Sequence, residues 1–450
     1  MSVTRCLVAA GLTLLSLSLV AAPAQASTPS DDPVRALNRH AQPIRSTEPF
    51  ARAADLRGLE RAIGQASVVG VGEATHSSHE FFTLKHRIFR QLVERKGFRT
   101  FSLEIAWSTG LRLNEYVLTG KGDPAAILRA EDAVWATQEY VDLLKWMRAY
   151  NRSHRDKLRF MGNDPVYPGN PVFAEVTGHL GQEHPALLAA YQRLQARLRL
   201  ATTEPEAWRN AYIERPLAER KAVAAEAASM HRKLARASRN EWAVQNALVI
   251  AQTLHLLAFD FTRPEEEAPR AMLFRDRTMA ENTAWWHRYT GDKVVLSAHN
   301  GHVGYVSPDR YYPKLQGAFL RDQLGRKYVN IGMSYYQGGF NAQDETGAWK
   351  EFHLGPAPAG YNEHTLDQVR YRDFLIDTRT APAAARGWLD KTRPTRDVGT
   401  AYPDPDNLIA LGRSYDLVVH LHRVTPARRL TSPLQRSLRP QSGAGRAGSR

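Results

Sequence analysis

Two short stretches gather side chains that move protons. "GEATHSSHE" places Glu73, His76 and His79 close together, and "SAHNGHVG" places His299 and His302 three apart. Histidine with a carboxylate suits general acid–base work near neutral pH. The carboxylate accepts from one ring nitrogen and fixes the tautomer, which leaves the other nitrogen as a base. A water held between His76 and an orienting glutamate, Glu73 or Glu104, can then attack an ester carbonyl. The oxyanion formed needs donors or a cation. Lys85, nine residues beyond His76 in the following helix, is positioned to return an ammonium to such a site.

These residues stand where strands end. "SVVGVG" (67–72) is a short apolar run closing on glycine. "HEFFTLKHRIFRQLVERKG" has Phe81, Leu84, Ile88, Phe89, Leu92 and Val93 at helical spacing, with Gly97 as a stop signal. "FRTFSLEI" (98–105) reads as the next strand and ends beside Glu104. Strand, helix and strand make a βαβ unit with parallel strands, which predicts that Glu73, His76 and Glu104 are neighbours. "KLRFMGND" (157–164), "DKVVLSAHNGH" (292–302) and "KYVNIGMSYY" (327–336) also run from apolar into small or polar residues, and the first ends at Asp164. "DFLIDT" (373–378) and "YDLVVHLHR" (415–423) are further strands, with helices expected over 110–119, 138–152 and 270–289. Alternation of this kind argues an α/β fold with a mostly parallel central sheet flanked by helices. Ligands of such sheets bind outside the carboxyl ends of the strands.

Other chemistries are weaker. "AWSTG" (106–110) offers Ser108 after a strand, but the G-x-S-x-G elbow is incomplete and Ser108 or Thr109 also suits a helix cap. His76, His79, His299 and His302 with Glu73 and Glu104 are ligand types for zinc or manganese, without a diagnostic spacing. "GVGEAT" lacks the third glycine of a phosphate-cradling loop. Scattered aromatic pairs such as Trp285-Trp286 and Tyr335-Tyr336 fit core packing as well as ligand binding. No cofactor or metal is expected, and neither nucleic acid nor a membrane span is expected as a partner.

Length and composition bound the rest. The 450 residues have an ordinary globular composition and a net charge of +14. Arg5 and the six arginines of 427–450 account for half of that charge. The segment 427–450 is acid-free and rich in Gly, Ser and Pro, so a basic disordered tail is expected. The start, "MSVTRCLVAAGLTLLSLSLVAAPAQAS", has Arg5, an apolar run over 7–22 and a small-x-small motif at 24–26. This predicts a signal peptide over 1–26, cleavage near Ala26 and a secreted protein. Cleavage removes Cys6, the single cysteine, and with it any disulfide or thiolate chemistry. The expected catalytic α/β domain comes in two parts, 27–170 and 258–426. Between them, 171–257 is rich in Ala, Leu, Arg and Glu and reads as a helical insertion or cap.

The stretch "GEATHSSHEFFTLKHRIFRQLVERKGFRTFSLE" is similar to the opening signature of the erythromycin esterase family. "NEYVLTGKGDP" (114–124), "FRDRTMAEN" (274–282) and "KVVLSAHNGHVG" (293–304) follow in the family's order. The resemblance covers about residues 40–425. It implies an α/β scaffold and hydrolysis of a macrolide lactone or similar small-molecule ester without an obligatory metal. It also implies that the family's functional positions fall on Glu73, His76, Lys85, Glu104, His299 and His302. "GNDPVY" (162–167) departs from the family's aromatic-acid turn, and the roles of Asp164 and His79 stay open.

Overall fold

Six parallel strands form the centre of a nine-stranded sheet in this computed structural model, which describes residues 32–430 except 132–133, 201 and 203. The expected signal peptide lies outside the described residues, as does the expected tail beyond Leu430. Across the sheet the parallel strands run Leu417–Val424, Tyr328–Gln343, Val68–Val71, Lys293–Ser297, Phe98–Ala106 and Arg159–Asp164. Phe374–Asp377 and Gln42–Pro43 extend one edge antiparallel, and Trp349–Leu354 pairs antiparallel with the long strand Tyr328–Gln343. The mostly parallel α/β architecture is the one expected.

One neighbour relation differs. The first and second strands of the expected βαβ unit are not adjacent, because Lys293–Ser297 hydrogen-bonds to both and lies between them. A helical crossover can span an intervening strand as readily as an empty place. The result brings "AHNGH" between the two glutamate-bearing strands.

Strand side chains alternate between two buried faces. Val69, Val71, Phe101, Leu103 and Val295 pack in one core with the helix His79–Lys96 and the helix Gln138–Ser153. Val68, Val294 and Leu296 face a second core. That core is filled by the helices of residues 170–256 and by the long helix Pro264–Thr290. Five consecutive helices therefore occupy the expected insertion, and they cover a sheet face as well as walling the site. The helix His79–Lys96 ends at Gly97 in the left-handed conformation (φ 73°), as its sequence predicts.

The first four residues of the expected tail are packed. Arg428 pairs with Glu139, and the Leu430 N–H donates to the Ala136 carbonyl. Among the described residues, no helix is long and apolar enough to cross a membrane.

Candidate active site

Four adjacent strands deliver the charged groups to one end of the sheet. Glu73 and His76 follow the strand Val68–Val71, Glu104 lies in Phe98–Ala106, and Asp164 closes Arg159–Asp164. His299 and His302 follow Lys293–Ser297, where His299 caps a one-turn helix. Close approach of the two histidine stretches needs Gly72. A Cβ there would stand 2.2 Å from the Asn300 Oδ1. Asn300 in turn donates its N–H to the Glu73 carbonyl (2.9 Å) and its amide to the Met333 carbonyl (2.7 Å).

His76 is held from below. Its Nδ1 lies 3.1 Å from Glu73 Oε1, and the other Glu73 oxygen takes the Lys85 ammonium. Lys85 also donates to Ser297 Oγ (3.0 Å) and the Ala298 carbonyl (3.2 Å). Glu73 and Lys85 are fully buried. Lys85 thus supports Glu73 beneath the site and lines neither lobe of the cleft. Burial pushes the Lys85 ammonium well below its usual range, with Glu104 opposing. Burial, reinforced by the neighbouring His299, pushes His76 down to about 3, so its ring is neutral at physiological pH. Trp135 packs edge-on against His76, with ring centroids 5.0 Å apart, and donates its indole N–H to the Glu104 carbonyl.

Glu104 is the hub of a second network. Oε1 meets His302 Nε2 at 3.1 Å and Arg275 Nη2 at 3.0 Å, while Oε2 accepts the His299 N–H at 3.0 Å. Glu104 therefore lies against His302 and the His299 backbone, not in hydrogen-bond contact with His76. Asp276 flanks the other ring nitrogen of His302 at 2.9 Å. Burial opposes a charge on His302, but Asp276 and Glu104 outweigh it and hold the imidazolium well above its usual range. Burial likewise opposes a charge on Glu104, and His302 and Arg275 overcome it to keep the carboxyl well below its usual range. Arg275 is also braced by Asp164, whose two oxygens lie 3.1 Å from its Nε.

The two networks meet in a cleft of two lobes. One lobe, about 370 Å³, is mainly apolar, with Trp135, Val166, Ile213, Leu257, Phe261 and Met272 on its walls. The other, about 260 Å³, is polar and includes His299, His302, Asp309, Tyr312, Asp397 and Asp404. His76, Glu104, Arg275 and Thr400 border both. Glu73 and Ser108 are buried and border neither, and Ser108 donates to the Tyr167 carbonyl. His79 also points elsewhere: its Nδ1 meets Glu139 at 2.6 Å and its Nε2 meets Glu48 at 3.4 Å.

Among the described residues, no group of three or more His, Cys, Asp or Glu side chains could hold a metal ion. Two of the carboxylates that face the histidines, Glu73 and Glu104, are already engaged by Lys85, Arg275 and the His299 N–H.

Sequence reasoning missed Arg275, Asp276 and Asp397. The first two sit within "FRDRTMAEN", where acid and base alternate on a helix and nothing marks one arginine over its neighbours. Asp397 lies in an irregular segment that reaches the site through contacts such as the Val398 N–H to the Ala74 carbonyl at 2.7 Å and Asp397 to His299 at 3.3 Å.

Fold and cleft together define an α/β protein with an acid–base centre at the carboxyl ends of its parallel strands. The chain belongs to the erythromycin esterase family, whose model matches residues 93–424. Membership supports hydrolase activity. Two curated Escherichia coli relatives are similar over short stretches. Erythromycin esterase type II is 31% identical over 122 residues, which is 27% of this chain and 29% of the relative. Erythromycin esterase type I is 31% identical over 113 residues, 25% of this chain and 27% of the relative. The aligned stretch thus spans less than a third of either relative.

Solved structures match over greater lengths. A Bacillus cereus protein superposes with a TM-score of 0.82 at 31% identity, over 90% of this chain and 100% of that one. A structure titled as a succinoglycan biosynthesis protein gives 0.81 at 28% identity, with the same coverage. An erythromycin esterase mutant in its open conformation gives 0.70 at 17% identity, over 86% and 98% of the two chains, and shares the fold.

Proposed function

We propose that this protein is an exported ester hydrolase that opens a macrolide lactone, or a similar ester, with a water activated by His76. The observation that carries this reading is the chain Lys85–Glu73–His76. It ties down Nδ1 and, in a ring that burial and His299 keep neutral, leaves Nε2 as a base at the junction of the two lobes. The arrangement has the logic of a catalytic triad with water in place of the serine.

The substrate carbonyl sits at the junction. Water adds to the carbonyl carbon and gives its proton to His76 Nε2. Negative charge then gathers on the carbonyl oxygen, where Arg275 is the cation bordering both lobes. The carbon–oxygen bond of the ester breaks, and the leaving alkoxide takes the proton from His76. One water is consumed, and one acid and one alcohol are released. Glu73 orients His76 and supports its transient charge. Glu104 and Asp164 hold Arg275 in place. Macrolide lactones are favoured as substrates because the family and both curated relatives carry that activity in their names, and because one lobe is large and apolar.

The test is a panel of esters that includes several macrolides, with mass detection of the gain of one water. Hydrolysis by the wild type that is lost in His76→Ala supports the reading. Hydrolysis that persists undiminished in a folded His76→Ala variant overturns the role of His76, and no hydrolysis across the panel overturns the activity.

A further inference from the structure

His76 is held in two ways, and one pair of residues joins the two holds. The first is the hydrogen bond from Nδ1 to Glu73, which Lys85 backs. The second is the Trp135 ring, packed edge-on against His76. Tyr140 lies edge-on to Trp135, with ring centroids 5.6 Å apart, and its hydroxyl oxygen is 3.2 Å from Ser297 Oγ. Ser297 Oγ in turn accepts from Lys85 at 3.0 Å. The contacts close a ring that runs from His76 through Glu73, Lys85, Ser297, Tyr140 and Trp135 back to His76.

The chemistry of Lys85 defines what Ser297 does. An ammonium has three N–H donors and no acceptor. Three acceptors surround Nζ, namely Glu73, the Ser297 hydroxyl and the Ala298 carbonyl. Burial disfavours the charge, so its persistence depends on how fully those donors are matched. The carbonyl is backbone, and Glu73 is the group being held. That leaves Ser297 as the side chain that completes the set. It is fully buried at the end of the strand Lys293–Ser297, in register between Val71 and Leu103. Among the described residues, Tyr140 is the other side chain that hydrogen-bonds Ser297 Oγ, so it fixes the rotation of the hydroxyl.

We propose that Ser297 and Tyr140 are positioning residues for the reaction. Together they hold Lys85 charged, so that Glu73 stays ionised and faces His76 Nδ1 while Nε2 takes the proton from water. This role rests on the ester-hydrolase reading. Without the Ser297 hydroxyl, one buried N–H of Lys85 points at no acceptor. The pair then relaxes to its neutral form as one proton passes from Lys85 Nζ to Glu73. A protonated Glu73 no longer supports the imidazolium that forms on His76. Glu104, His299, His302 and Arg275 also act on the His76 charge, but Glu73 is the partner of Nδ1.

Two readouts on the full chain test this role. One is kcat and KM on an ester that the wild type hydrolyses. The other is the downfield proton resonance of His76 Nδ1–H, assigned by its loss in His76→Ala. Ser297→Ala is expected to lower kcat about tenfold with KM unchanged, the worth of one hydrogen bond, and to shift the resonance upfield. Tyr140→Phe keeps the ring against Trp135 and should give a smaller change of the same kind. The two residues act in one chain, so the double variant should fall no lower than Ser297→Ala alone. Ser297→Thr retains the hydroxyl and should restore both readouts. A merely structural role would lower stability and move neither. Wild-type kcat with an unmoved resonance in Ser297→Ala, or losses that multiply in the double variant, overturns the proposal. If Ser297→Ala does not fold, Tyr140→Phe decides on the same readouts. A shifted resonance without hydrolysis of any ester overturns the enzymatic reading and leaves the hold on His76 standing, whereas hydrolysis with both readouts unmoved does the reverse.

Discussion

The Lys85 ammonium and the Glu73 carboxylate meet in full burial, directly beneath the His76 imidazole. The pair links the helix His79–Lys96 to the exit of the strand Val68–Val71. It also decides which way the carboxylate faces, since Lys85 is fixed by Ser297 and Ala298 on the neighbouring strand.

Removing one member of that pair leaves a buried charge unmatched. Lys85→Met is expected to lose about 3–5 kcal/mol of stability. The double variant with Glu73→Gln should recover part of that stability and none of the activity. Denaturant midpoints and kcat/KM on the same preparations check both statements. A single variant as stable as wild type would contradict the pairing.

His76→Ala is expected to lower kcat/KM by about 10²–10⁴, the usual worth of a positioned base. The pH profile is more diagnostic. A base works when deprotonated, and burial and His299 push His76 down to about 3. Activity should therefore hold as pH falls through the ordinary histidine range, about 6.5. An acid limb centred in that range would assign the limiting base to another group.

Arg275→Gln removes the cation shared by both lobes. The expected cost is about 10²–10³ in kcat, of the size found for a lost oxyanion donor. Because Arg275 also pairs with Asp164 and Glu104, stability is measured alongside, and Arg275→Lys separates charge from fork geometry. A fall in affinity with kcat unchanged would make Arg275 a binding residue only.

His79 gives a stability signal separate from catalysis. Its hydrogen bond to Glu139 holds its pKa above the ordinary value of 6.5 despite burial. A raised pKa means the folded state holds the proton more tightly than the unfolded chain. The stabilisation is complete below the ordinary value and is lost as pH rises through the raised one. The stability gap between wild type and His79→Gln should accordingly be widest in mild acid and close on the alkaline side. A gap that widens with pH would contradict the pairing with Glu139.

Export predicts that protein recovered from the medium of a secreting host begins at Ser27, read by intact mass and N-terminal sequencing. Full-length protein confined to the cells would refute the signal peptide.

Much of the fold and part of the site were legible because both rest on local patterns. An apolar run closing on Gly72 announces a strand exit, and the polar residues after it fall at the sheet's carboxyl edge. That logic found Glu73, His76, Glu104, Asp164, His299 and His302. It could not find the partner that joins them. Arg275 contacts Asp164 across 111 positions and Glu104 across 171, and a helix rich in charge does not show which arginine turns inward. Asp397 carries no periodic signal at all. Strand order was equally hidden, since nothing local tells whether a crossover skips a place.

The two-lobed cleft has an evolutionary consequence. The histidines and glutamates of the cleft stand on strand exits that are held by buried ion pairs. Much of the apolar wall comes instead from helices, through residues such as Ile213, Leu256 and Met272. Mutation can reshape that wall residue by residue while the charged cluster stays constant. Selection on such a scaffold can change diet without reinventing digestion.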